Sequence, residues 1–138
     1  MFTLPELAVV KEVLRSARSI AVVGFSPKEN RPSNRVGRYL IQAGFRVIPV
    51  NPGHSEIYGL KCYPDLVSIP EPVDVVDIFR RSEDVLPVVA EAIGIRAKVI
   101  WMQQGIINRE AAALAEKAGL IVIMDRCIKI DHMQFGSV

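Results

Sequence analysis

The sequence predicts an α/β fold, a parallel sheet covered by helices on both faces, on three observations. Short apolar runs alternate with segments of helical periodicity along the chain, without repeats, low-complexity tracts or a linker. The first run, Ser19-Ile20-Ala21-Val22-Val23-Gly24-Phe25-Ser26, is apolar on both faces of a strand, as a central parallel strand requires. A polar loop, Pro27-Lys28-Glu29-Asn30-Arg31-Pro32, and a capped helix follow it. In α/β folds that order presents backbone N–H groups and a helix N-terminus to a phosphate.

In chain order, Thr3 and Glu6 have the spacing of a capping box, and Leu4, Leu7, Val10, Val13, Leu14 and Ala17 recur at helical spacing, predicting a helix over 3–17. Ser19 to Gly24 is the first strand. From Ser33 or Asn34 a second helix, with a cap residue before it, carries Val36, Leu40 and Ala43 and runs to Gly44. Phe45 to Val50 reads as the second strand, with Pro49 tolerable only near its end, and Asn51-Pro52-Gly53 stops it. Ile57 to Tyr63 is expected to form a short third strand bent at Gly59, followed by one or two helical turns over 64–68.

Val73-Asp74-Val75-Val76-Asp77-Ile78-Phe79 is β-branched and bounded by Pro72 and by Arg80-Arg81, hence a fourth strand, with its two aspartates expected near its start and rim. Ser82 or Asp84 caps the next helix, with Leu86, Val89, Ala90 and Ile93 facing inward and Pro87 confining its start. Ala97 to Met102 is a strand. Asn108 caps an Ala-rich helix over 109–118, Gly119 ends it, and Leu120 to Met124 supplies a last strand before a short C-terminal extension, 125–138.

These elements compose a doubly wound, Rossmann-like sheet with strand order 3-2-1-4-5, in which connections reverse between the first strand and the strand ending at Phe79. Ligands in such sheets bind outside the carboxyl ends of the strands at that reversal. The loops after Gly24, Val50, Phe79 and Met102 therefore frame the expected site. A chain of 138 residues fits one domain with enough core to fold unaided, and 50% hydrophobic with 23% charged residues is the composition of a globule. A net charge of +2 gives no argument for nucleic acid or membrane as a partner. The first residues lack a signal-peptide pattern and no apolar run approaches the ~20 residues of a membrane span, so a cytoplasmic protein is expected. Cys62 and Cys127 make neither a disulfide framework nor, with His54 and His132, a zinc site.

A dinucleotide site predicts a Gly-x-Gly-x-x-Gly turn and an acid at the end of the second strand; Gly24 is followed by Phe25-Ser26-Pro27, and the second strand ends in Asn51-Pro52. No Walker lysine motif is present. What the loop has is positive charge: Lys28 and Arg31 stand beside the predicted helix N-terminus and suit an anion. Arg35 and Arg38 read as solvated helix cations.

Val22-Val23-Gly24-Phe25-Ser26-Pro27, Arg31-Pro32-Ser33, Pro49-Val50-Asn51-Pro52, Cys62-Tyr63-Pro64, Val75-Val76-Asp77-Ile78-Phe79 and Asp125-Arg126-Cys127-Ile128-Lys129, in this order, resemble the small single-domain CoA-binding proteins. That family is related to the CoA-binding N-terminal domain of the succinyl-CoA synthetase α subunit. The resemblance spans nearly the whole chain and implies coenzyme A or acyl-CoA along the carboxyl edge of the sheet. It implies Gly24, Ser26, Pro27, Lys28, Arg31, Pro32 and Ser33 at the phosphates and Val50, Asn51 and Pro52 beside the adenosine. Tyr63 would flank the adenine, Phe79 and Arg80 would line the crevice floor, and Met102, Gln103, Gln104 and Gly105 would touch the cofactor.

Two departures stand out. The synthetase's glycine-rich phosphate loop is replaced by Ser26-Pro27-Lys28-Glu29-Asn30, and His54 stands where the synthetase has a lysine. Ligase activity is not expected to transfer, because the synthetase needs a second domain with a phosphorylated histidine and a partner subunit. The favoured reading is a non-catalytic binder of CoA, a carrier or sensor, monomeric or homodimeric. An NAD(P)-dependent oxidoreductase and a nucleotide-dependent interaction module are the alternatives. Cys62 and Cys127 read as small apolar residues, although a thiol at Cys127 could meet the thiol end of CoA by disulfide exchange.

Overall fold

The computed structural model describes residues 7–136. The capping box at Thr3 and Glu6 lies outside them. The chain runs through α1 (Leu7–Ser16), β1 (Ser19–Val23), α2 (Pro32–Gln42), β2 (Arg46–Val50), β3 (Glu56–Ile57), β4 (Leu60–Lys61) and β5 (Val75–Ile78). It continues through a single 3-10 turn (Ser82–Asp84), α3 (Val85–Gly94), β6 (Val99–Met102), α4 (Arg109–Lys117), β7 (Ile121–Ile123) and α5 (Ile128–Phe135). Five parallel strands form the sheet in the order β2-β1-β5-β6-β7. This is the predicted α/β class, with connections reversing between β1 and β5 as expected.

The side-chain alternation of a strand sorts the core into two layers. Ala21, Val23, Val76, Ile78, Ile100 and Met102 point to the face covered by α3 and α4, through Val85, Val89, Ala92, Ala111, Ala112 and Ala115. Ile20, Val22, Val75, Val99 and Trp101 point to the other face, packed on Val10, Val13 and Leu14 of α1, Val36 and Leu40 of α2, and Ile128 of α5. Among the described residues no helix is long and apolar enough to cross a membrane.

Four expectations are corrected. The predicted third strand is instead an antiparallel hairpin, β3 with β4, because Tyr58 and Gly59 both take left-handed φ, +51° and +75°, and turn the chain within two residues. Its remnant at the sheet edge is one parallel bridge between Val50 and Tyr63, so the strand order departs from 3-2-1-4-5 at that edge and β7 completes the five at the other. Residues 64–68 make no helix: Asp65 accepts the Ser68 amide and hydroxyl in a local turn. On α3 Val89 is buried and Leu86 and Ile93 pack against the core as expected, joined by the buried Val85 and Ala92, while Ala90 is exposed.

The fourth correction concerns the aspartates of β5. Asp74 does stand before the strand, accepting the amides of Arg18 (2.8 Å) and Ser19 (3.2 Å). Asp77, however, is fully buried mid-strand, paired in register with Val22 and Trp101, not at a rim. The C-terminal extension, for its part, folds as α5 and packs against α1 and α2.

Candidate functional site

The carboxyl ends of β1 and β5 meet at Gly24. Its N–H donates to the Val50 carbonyl (2.8 Å), while the Phe79 N–H donates to the Val23 carbonyl (2.9 Å), so three strand ends are tied together there. Gly24 has φ +90°, and a Cβ at this position would lie 2.4 Å from the Phe79 carbonyl oxygen and 2.8 Å from the Arg80 guanidinium. Only glycine fits both the conformation and the space.

Beyond Gly24 the loop folds onto the first turn of α2. The Ser26 N–H donates to Ser33 Oγ (3.0 Å), Ser26 Oγ accepts the Lys28 N–H (3.1 Å), and the Ser26 carbonyl accepts from Asn34 Nδ2 (2.8 Å). Asn34 is fully buried, and its Oδ1 accepts from Arg38 Nε (2.8 Å) and from the Tyr58 hydroxyl (3.2 Å), linking the loop to the β3–β4 hairpin. Helix α2 opens with Pro32 after Arg31, which takes an extended N-cap conformation and makes no side-chain cap. The helix expected from Ser33 or Asn34 therefore starts one or two residues earlier, with both side chains spent on the loop.

Opposite α2 stands the N-terminus of α5, with Cys127 as an N-cap that makes no side-chain cap. Three anchors bracket it: the Trp101 indole N–H donates to the Arg126 carbonyl (2.8 Å), Arg126 pairs with Asp131 (2.6 and 3.1 Å), and the Ile128 N–H donates to Gln103 Oε1 (3.1 Å). The loop after β6 is held in turn by Asp125, which accepts the Gly105 amide (2.7 Å).

Between these walls lies a cleft of about 700 Å³ lined by Gly24, Ser26, Arg31, Pro32, Ser33, Arg35, Val36, Phe79, Gln103, Gln104, Ile106, Cys127, Lys129 and Ile130. Arg31, Arg35 and Lys129 bring three cations to the lining, and no carboxylate lines it. Phe79, Ile106 and Ile130 supply an apolar wall. Asp77, two residues before Phe79 on β5, has both carboxylate oxygens unpartnered among the described residues, and burial pushes its pKa well above the ordinary carboxylate range.

Eight of the sequence-predicted residues thus meet in one cleft: Gly24, Ser26, Arg31, Pro32, Ser33, Phe79, Gln103 and Gln104. Val50 and Arg80 line a separate depression of about 290 Å³ with Pro64 and Asp65. Pro27, Lys28 and Pro52 are exposed outside both linings. Asn51 instead supports the loop, its Nδ2 donating to the Phe25 carbonyl (2.9 Å) and its Oδ1 accepting the Gly53 amide (2.9 Å). Tyr63 sits at the β2 edge under the Lys61 ammonium (5.2 Å), Met102 is buried in the core, and Gly105 is an exposed loop residue. Sequence reasoning missed Arg35, Val36, Ile106, Lys129 and Ile130 as lining residues. Arg35 was within reach, because it follows Arg31 by four positions on one helix face. No periodicity in 125–138 pointed to Lys129 and Ile130.

A family model described as a CoA binding domain matches residues 18–133. The chain is 42% identical over 128 residues to the uncharacterized protein YneT of Bacillus subtilis, covering 93% of this chain and 95% of that protein. It is 31% identical over 119 residues to an ADP-forming acetate–CoA ligase I of Archaeoglobus fulgidus, covering 79% of this chain but only 17% of the ligase. Among solved structures, a hypothetical protein from Pyrococcus horikoshii OT3 superposes with a TM-score of 0.92 at 39% identity, over 98% of each chain. A match over most of the chain, together with relatives at these identities, places this protein in the CoA-binding domain family, whose homologues include the corresponding region of ADP-forming acetate–CoA ligases.

Proposed function

We propose that the protein binds coenzyme A or acyl-CoA without catalysing its transfer, as a cytoplasmic carrier or sensor built from one domain. The observation that carries this reading is the cleft at the reversal of the sheet, lined by three cations and no carboxylate. Coenzyme A bears a pyrophosphate and a separate ribose phosphate, and cations beside a helix N-terminus suit such a polyanion. Ser26, Arg31, Ser33 and Arg35 would meet phosphate on the α2 side, and Lys129 would do so from α5. Phe79, Ile106 and Ile130 offer the uncharged pantetheine arm an apolar wall. The loop after β1 is preshaped by Asn34 and Ser33 and so need not be ordered by the ligand.

Titration calorimetry tests the reading. CoA binds the wild-type chain, and Arg31→Ala weakens it about tenfold or more, the value of one charge-assisted hydrogen bond, with a shallower salt dependence. Dephospho-CoA loses less from the same substitution if Arg31 meets the ribose phosphate, and equally if it meets the pyrophosphate. Absence of binding at millimolar CoA refutes the reading.

A further inference from the structure

We propose that Cys127 makes the cleft a thiol–disulfide exchange site for disulfides of CoA, an inference that rests on the CoA reading above. Cys127 stands in a cleft whose ligand is argued from other residues, the cations and the α2 N-terminus, and that ligand itself ends in a thiol. The cysteine is half-buried, lines the cleft together with Lys129, and spends its side chain on no hydrogen bond among the described residues. Its backbone, by contrast, is fixed on both sides, through the Arg126 carbonyl on the Trp101 indole and the Ile128 amide on Gln103. Its side chain is packed partly against the core of the α1–α2–α5 face and partly at the cleft lining. A held backbone with a thiol free of hydrogen bonds at the wall of a cavity is the arrangement exchange needs, since the thiolate must reach a disulfide sulfur along its axis.

Cys62 is the contrast. It is 5% exposed, burial pushes its thiol up, and its Sγ lies 3.5 Å from the Asn51 carbonyl, away from the cleft. A disulfide in solution cannot reach it without opening the fold.

The step conserves electrons within the sulfurs. The Cys127 thiol gives its proton to water, and the thiolate attacks the CoA sulfur of a CoA disulfide. The S–S bond of the reagent breaks as the Cys127–S–S–CoA bond forms, and the departing thiolate takes up a proton as a free thiol. A second thiol that attacks the Cys127 Sγ releases CoA as a free thiol and leaves Cys127 in a mixed disulfide with the attacking group, so the oxidising equivalent passes on with that disulfide. The oxidising equivalent arrives with the CoA disulfide, and no other oxidant is required.

The test uses the full-length, reduced protein with symmetric CoA disulfide, and the neutral hydroxyethyl disulfide as comparison, followed by intact-mass spectrometry and peptide mapping. The expected result is one CoA per chain, mapped to Cys127, kept in Cys62→Ser and lost in Cys127→Ser. CoA disulfide should react at least tenfold faster than hydroxyethyl disulfide, with the advantage shrinking in high salt. A CoA adduct on Cys62, no adduct at all, or equal rates for the two disulfides overturns the proposal. Should Cys127→Ser fail to fold, mapping of the wild-type adduct still decides between Cys127 and Cys62. Calorimetry with reduced CoA under reducing conditions separates the two readings: binding without an adduct refutes only the exchange, whereas no binding refutes the CoA reading beneath it.

Discussion

Asp77 contributes to the pH dependence of stability in this fold, and Asp77→Asn exposes that contribution as a difference from wild type. The carboxyl lies mid-strand in β5, fully buried between Val22 and Trp101, with neither oxygen hydrogen-bonded among the described residues. Burial without a partner raises its pKa well above the ordinary carboxylate range, so the native state keeps a proton that the unfolded chain releases near pH 4. Below that pH both states are protonated and titration of the group contributes nothing, leaving only the cost of its unpaired oxygens. As pH rises from there toward the native pKa, the native state binds more protons than the unfolded one, and stability falls by up to about 1.4 kcal/mol per pH unit. For a chain of 138 residues the unfolding entropy is about 0.3 kcal/mol/K, so each unit corresponds to roughly 5 °C in Tm. Asparagine cannot titrate and should remove this slope. Urea unfolding of wild type and Asp77→Asn at pH 4.5, 5.5 and 6.5 measures it as a difference that moves with pH in favour of the variant. Parallel pH profiles refute the assignment. Asp77→Val, which removes the unpaired group, should be more stable than wild type by about 1–3 kcal/mol at neutral pH.

Two further outcomes follow from packing around the cleft. Gly24→Ala forces a Cβ against the Phe79 carbonyl at φ +90°, at a cost of roughly 2–5 kcal/mol, and thermal melts should show a Tm lower by on the order of 10 °C. Gly94→Ala, where an added Cβ meets nothing within 4 Å, is the control and should leave the Tm level or slightly raised. Asn34→Ala frees the Ser26 carbonyl and strands Arg38 Nε and the Tyr58 hydroxyl. Urea midpoints should report a loss of about 1–3 kcal/mol, with Tyr58→Phe costing less, because only the 3.2 Å bond is removed.

The sheet is legible because its strands carry their signal locally. Apart from Ser19 and Asp77, the runs Ser19 to Val23 and Val75 to Ile78 are apolar on both faces and bounded by breakers, and Asn108 is a cap in the structure as in the sequence, its side chain accepting the Ala111 N–H. The segment after Asn51 is not, because composition cannot separate an edge strand from a hairpin. The deciding fact is the left-handed φ of Tyr58, a residue type that seldom adopts it. Asp77 escapes for a different reason. A charge in an apolar run argues for a rim, and only the register against β1 and β6 puts it at the centre.

The cleft is half legible, for a reason that lies in how the two walls are made. The α2 wall is continuous in sequence: Gly24 through Arg35 holds a strand end, a loop and a helix start, and each leaves a mark in residue type. The α5 wall is contributed at long range. Its position depends on Trp101 reaching the Arg126 carbonyl, on Gln103 accepting the Ile128 amide, and on Asp131, 4% exposed, being paired with Arg126. A carboxylate that deeply buried is tolerable only with its partner in place, so the first turn of α5 is fixed against Arg126, whose carbonyl the Trp101 indole and whose amide the Met102 carbonyl tie to the sheet. Asp131 is turned into its pair with Arg126 and Asp125 accepts the Gly105 amide, and both line a smaller depression beside the cleft, whereas Lys129 lines the cleft itself. A segment that reads as an extension thereby supplies the second wall of the cleft, and its fold directs a cation, not its two acids, to that lining.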